Sequence, residues 1–125
     1  KSPLQQKSYV FGIRAFGAAK AWPLSVFKGG AVINDHLAGR NLVLLGDSAS
    51  RTVRAYERGD RQFLPHDEAG ILKTSDGVWQ VGEAELTGPK GDRLPRVAGH
   101  IAYWFAWDNY LGLKSELYTP GDAGK

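Results

Sequence analysis

The sequence predicts a single β-rich α+β domain: one antiparallel sheet or a small open barrel, covered by a C-terminal aromatic helix. Three observations point there. Short apolar segments, several alternating with a period of two, recur along the chain between turns rich in Gly, Asn and Asp. The pair Asp76-Gly77 separates two of these segments and is the strongest short-range hairpin signal. Near the C-terminus, Ala102–Leu111 is apolar almost all round and carries Tyr103, Trp104, Phe105, Trp107 and Tyr110, so it reads as a buried helix.

The elements follow in order. Tyr9, Phe11, Ile13 and Ala15 alternate with Val10, Gly12, Arg14 and Phe16, a strand that turns at Gly17 and returns over Ala18–Trp22. Pro23 suits the first turn of a short helix over Leu24–Phe27, which Gly29-Gly30 ends. Ala31–Ile33 and Leu42–Leu45 read as buried strands, joined by turn chemistry at Asn34–Gly39. Thr52–Arg58 could place Arg51, Arg54 and Arg58 on one helical face, but Thr52, Val53 and Tyr56 favour a strand. Gly59-Asp60 is a turn before Arg61–Leu64, and Pro65–Gly70 is a polar loop. Ile71–Lys73 and Val78–Val81 form the hairpin. Glu83–Leu86 reads as a helical turn, Gly88–Asp92 as a second turn, and Leu94-Pro95 as an extended approach to the helix. The expected organisation is an N-terminal extension over 1–8, a globular domain over 9–118 and a flexible polar tail over 119–125.

Composition narrows the function classes. A chain of 125 residues is one domain by length, and 42% hydrophobic content with a net charge of only +3 excludes a disordered chain. Basic residues are interleaved with acidic ones, so no nucleic-acid stripe is expected. There is no Cys, which removes a disulfide framework, a thiol nucleophile and thiolate metal sites. No apolar run is long enough to span a membrane. A chain that starts at Lys1 and lacks Met is expected to be a processed product or an excised piece.

The chemically suggestive motifs each have a plainer reading. Gly46-Asp47-Ser48 after an apolar strand looks like a nucleophile block, but nucleophilic serine needs a positioned base, and no Asp-x-x-His follows. Asp35-His36 and His66-Asp67-Glu68 offer metal or acid–base groups, yet three widely separated His residues form no convergent ligand set. No metal or cofactor is therefore expected. His100 is expected to cap the aromatic helix. Arg51, Arg54, Arg58 and Arg61 read as a solvated charged face among Asp47, Glu57 and Asp60. Trp22, Trp79, Trp104, Phe105 and Trp107 are assigned to the core. If a sugar-stacking platform exists instead, Trp79 is its best-placed exposed ring.

Several blocks in order carry a resemblance. Ala19-Lys20-Ala21-Trp22-Pro23-Leu24 is similar to Ala-Arg-Ala-Tyr-Pro-Leu, Val32-Ile33-Asn34-Asp35 to Val-Val-Asn-Asp, and Ala55-Tyr56-Glu57-Arg58 to Ala-Phe-Asp-Arg. Val78-Trp79, Gly88-Pro89, Gly91, Leu94-Pro95 and Ala102–Trp107 follow at suitable spacing. Across residues 9–118 the chain resembles the domain-of-unknown-function family numbered 3179, which implies a bacterial and exported or periplasmic protein. Typical members carry His-Glu where this chain has Gly30-Ala31, and Cys-Pro-x-Cys where it has Asp47-Ser48-Ala49-Ser50. Asp and Ser cannot perform thiol redox chemistry or soft-metal ligation. The resemblance thus implies an inherited scaffold without those groups.

The expected function is a non-catalytic binding or structural module, with another protein as the partner class and no nucleic-acid partner. The alternative is an enzyme or small-ligand pocket rebuilt around Asn34, Asp35, His36, Asp47, Ser48 and Ser50. Oligomeric state stays open.

Overall fold

The computed structural model describes residues 8–111 and 115–120. The chain runs β1 (Tyr9–Ala15), β2 (Ala18–Pro23), a 3₁₀ turn (Leu24–Phe27), β3 (Ala31–Leu37), β4 (Arg40–Asp47), β5 (Thr52–Glu57), β6 (Leu64–Pro65), β7 (Ile71–Thr74), β8 (Gly77–Val81), β9 (Glu85–Thr87), β10 (Arg93–Val97), β11 (His100–Tyr103), α1 (Trp104–Leu111) and β12 (Ser115–Leu117). The β-rich α+β class is as the sequence predicts. The strands sort into two sheets: a four-stranded one in the order β11-β1-β2-β12, and an eight-stranded one in the order β3-β4-β5-β10-β9-β8-β7-β6.

Alternation along β3, β4 and β5 decides how these sheets pack, because successive side chains leave a strand on opposite faces. One face sends Ile33, Leu37, Leu42, Leu44, Val53 and Ala55 against Phe11, Ile13 and Trp22 of the smaller sheet, and against Phe27. The other face sends Val32, Val43, Leu45 and Tyr56 into a second cluster with Phe63, Leu72, Trp79, Val81, Leu86 and Leu94. These residues come from opposite ends of the eight-stranded sheet, so the sheet curls on itself and nearly closes. Burial on both faces is why these strands read as near-continuous apolar runs.

A side chain bridges the seam. The edge strands β3 and β6 meet where Asn34 Nδ2 donates to the Phe63 carbonyl at 2.8 Å. Its Oδ1 accepts the Phe63 N–H at 2.9 Å, so the carboxamide replaces a pair of ladder bonds across the seam.

Several sequence expectations change. Asn34 and Asp35 are strand residues, and the hairpin turns at Ala38 (φ 51) and Gly39 (φ 78), both in the left-handed region that a tight two-residue turn requires. Glu83–Leu86 is not helical: Glu85–Thr87 pairs with β8 and β10, supplying ladder bonds that a helical turn would forgo. The helix begins at Trp104, because His100–Tyr103 continues as a strand against β1. His100 lies on β11 and is no helix cap; its ring centroid is 5.7 Å from that of Trp107. Ser115–Leu117 belongs to the fold as the parallel neighbour of β2, and Tyr118 is buried. Residues 1–7 of the expected extension and 121–125 of the expected tail lie outside the described residues.

The helix packs by one narrow stripe. Trp104 and Trp107 lie against Val10, Ala19 and Ala21 on the outer face of the smaller sheet. The Trp107 ring sits over Gly12, where any Cβ would collide with it. Phe105, expected in the core, is 42% exposed, because it points away from the face that Trp104 and Trp107 share. It ends an outward ladder in which Tyr103 stacks on Phe105 at 5.8 Å and on Tyr9 at 4.7 Å. The Arg51 guanidinium caps that ladder 4.1 Å from the Tyr9 ring centre. No helix among the described residues is long and apolar enough to cross a membrane.

Candidate functional site at the mouth of the barrel

The interior of the curled sheet is filled at one level and open at another. Trp79 is fully buried, donates its Nε1–H to Thr74 Oγ1 at 3.0 Å and meets the Phe63 ring edge-on at 5.3 Å. The Tyr56 hydroxyl crosses to the Gly82 carbonyl at 2.6 Å. Toward the other end, the start of β3 and the segment Pro65–Gly70 have no pairing between them. There a cleft of about 650 Å³ opens, with Val32, Leu45, Leu72 and Val81 from the interior cluster in its lining. Barrel mouths of this size and apolarity are common small-molecule sites.

The polar lining comes from two turns. On one side β4 ends at Asp47, whose Oδ1 accepts the Ala49 N–H at 3.2 Å. Ser50 Oγ lies 3.5 Å from the Asp47 carbonyl and from Oδ2. The turn closes when the Arg51 N–H donates to the Ser48 carbonyl at 3.2 Å, with Arg51 itself at φ 53. On the other side His66 and Glu68 stand in the loop before β7; the Glu68 N–H donates to His66 Nδ1 at 3.0 Å. Arg54 also lines the cleft, with its guanidinium 2.7 Å from Glu83 Oε1.

The six residues of the expected pocket do not share one site. Asp47 and Ser50 line the cleft. Ser48 is in the turn, its N–H donating to the Phe27 carbonyl at 3.3 Å, and among the described residues no imidazole bonds its hydroxyl. Gly46 is required by packing: a Cβ there would lie 2.8 Å from Val53 Cγ2 and 2.9 Å from the Thr52 carbonyl. The Gly-Asp-Ser run is thus a strand end and its turn. Asn34 pairs with Val43, four residues before Asp47, which places it about 13 Å farther along the sheet. His36 is exposed, one strand residue short of the Ala38-Gly39 turn.

Asp35 faces the opposite way, into the core between the sheets. Its Oδ2 accepts the Trp22 Nε1–H at 2.9 Å and lies 3.0 Å from Lys20 Nζ. Lys20 and Asp35 are only 4% and 1% exposed, so this is a buried ion pair joining β2 to β3. Asp35 Oδ1 is buried with no hydrogen-bond partner, the His36 Nδ1 being 3.7 Å away. Desolvation by the chain lowers the Arg58 pKa, and Asp35 and Asp60 oppose that shift. Its guanidinium clips three carbonyls, those of Leu42 at 2.8 Å, Arg61 at 2.9 Å and Asp35 at 3.0 Å.

The four arginines read as one solvated face are therefore divided among a tyrosine stack, an acidic partner, a backbone clip and the Trp79 ring. The sugar platform is corrected too: Trp79 is not exposed, and Trp22, Trp104 and Trp107 are also buried. Among the described residues there is no group of three or more His, Asp or Glu that could hold a metal ion. What sequence reasoning missed is that His66 and Glu68 share a cleft with Asp47. Only closure of the sheet brings those turns together, and no local spacing encodes it.

Gly30, Ala31, Asp47 and Ser50 all line this cleft. No curated protein and no solved structure matches the chain. A family model matches residues 1–113, so the chain belongs to the family of proteins of unknown function DUF3179.

Proposed function

We propose that this protein is a non-catalytic binding module whose ligand seats in the barrel mouth. The observation that carries the reading is the cleft itself: about 650 Å³, floored by apolar side chains and edged by polar groups from two turns. That volume matches the range of small-ligand sites, about 300–1,000 Å³, and the floor supplies the area that drives apolar binding. The reading is non-catalytic because Asp47 and Ser50 are bonded to their own turn and, among the described residues, no base is positioned on Ser48. It is further supported by Gly30 and Ala31, two small residues at positions where the family resemblance implies His and Glu.

The test is titration with N-phenyl-1-naphthylamine, a neutral apolar dye that brightens on leaving water. Saturable one-to-one binding is expected. Thr52→Trp, at an exposed lining position, should weaken it about tenfold without changing the melt. No saturable signal, or equal affinity in the variant, would overturn the reading.

A further inference from the structure

We infer that the ligand is a cationic amphiphile: a short alkyl or aryl body carrying an ammonium group, with the body on the apolar floor and the ammonium at the Asp47–Glu68 edge. The inference rests on the binding reading above and adds the charge of the ligand. Asp47, Glu68 and Arg54 are the residues of the lining with a formal charge at neutral pH. Arg54 is held at 2.7 Å by Glu83, whose carboxylate also lies 3.6 Å from Arg96 Nη1. Arg54 is therefore engaged by a carboxylate outside the cleft, while the two carboxylates of the lining outnumber it. Asp47 and Glu68 have no ion-pair partner among the described residues; Asp47 accepts only hydrogen bonds from its own turn, from Ala49 and Ser50. Two carboxylates with no basic partner thus flank an apolar floor, on a chain whose net charge is +3.

An anionic head in this mouth would meet both carboxylates, and a neutral one would leave them unmatched. An ammonium group would be attracted by both. In a cleft with low-dielectric walls the field of such groups is focused rather than spread into bulk water. His66 lines the same edge of the cleft.

The experiment compares three ligands of equal chain length on the full chain by isothermal titration calorimetry at pH 7.5: octylammonium, octanol and octanoate. Octylammonium should bind about tenfold tighter than octanol, and octanoate weakest of the three. The preference should shrink in 1 M salt, where the screening length is about 3 Å. In the Asp47→Asn/Glu68→Gln variant, octylammonium and octanol should bind within about twofold of each other. If octanol binds as tightly as octylammonium to the native chain, or octanoate binds tightest, the charge inference is overturned and the apolar site stands. If none of the three binds, the site itself is refuted.

Discussion

Lys20 and Asp35 form an ion pair inside the core, with Trp22 donating to the same carboxylate oxygen that Lys20 approaches. Burying two charges costs desolvation that their attraction repays only while both are present. Lys20→Met should therefore lower stability by about 3–5 kcal/mol in urea melts, since Asp35 is left charged and buried. Replacing both partners, Lys20→Met with Asp35→Leu, should recover most of that loss. A single variant as stable as the native chain would show that water reaches the pair. At the surface, the Tyr9 pKa is raised, chiefly by its hydrogen bond with the Tyr103 hydroxyl and then by desolvation, while Arg51 opposes. The folded chain thus holds the Tyr9 proton more tightly than the unfolded chain does. This contribution to stability is complete below the ordinary value of 10.0 and is lost as pH rises through the raised folded value. Tyr9→Phe should flatten that fall in stability above pH 10; an unchanged slope would show the hydroxyl pair does not form.

The aromatic segment shows what an element's sequence does and does not reveal. Its apolarity announced a buried helix, and α1 is there, but short helices bury a stripe and not a cylinder. Trp104 and Trp107 occupy the stripe; Phe105 does not. Trp104→Ala should cost about 3–5 kcal/mol, the range for deleting a buried aromatic. Phe105→Ala should cost less than about 1 kcal/mol, as most surface changes do. Thermal melts check both, and equal losses would contradict the packing of α1. The strands β1, β2, β7 and β8 were legible because alternation, turn residues and β-propensity agree there, and β5 because β-propensity outweighed a helical spacing of arginines. The reach of β3 through Asn34 and Asp35 was not. Those are turn-forming residues, and besides the β3–β4 ladder it is the long-range partners Phe63, Lys20 and Trp22 that hold their side chains. The same holds for β12, a short strand whose partner β2 lies far away in the sequence.

At the scale of the molecule, a central set of strands serves two cores: one face meets the small sheet, the other lines the curled interior. The sequence shows these strands as apolar on both faces, but it does not show that the larger sheet closes. Asn34 bridges the seam, and Asn34→Ala removes both bonds to the Phe63 backbone. The cost should be about 2–4 kcal/mol, from two buried backbone groups left unpaired. Amide exchange should rise at Phe63 and in β6; protection unchanged there would mean the seam is held by other contacts. Half of the candidate site was legible for the same reason. Asp47 and Ser50 stood out as local oddities in one turn, whereas His66 and Glu68 reach that turn only through the curl of the sheet. The measurement that bears most directly on this account is amide chemical-shift mapping of the full chain with octanol added. The account predicts saturable shifts centred on Ala31, Gly46, Ser50, Ile71 and Val81, the backbone around the mouth. Shifts absent there, or centred instead on the Tyr9–Tyr103–Phe105 ladder, would contradict it.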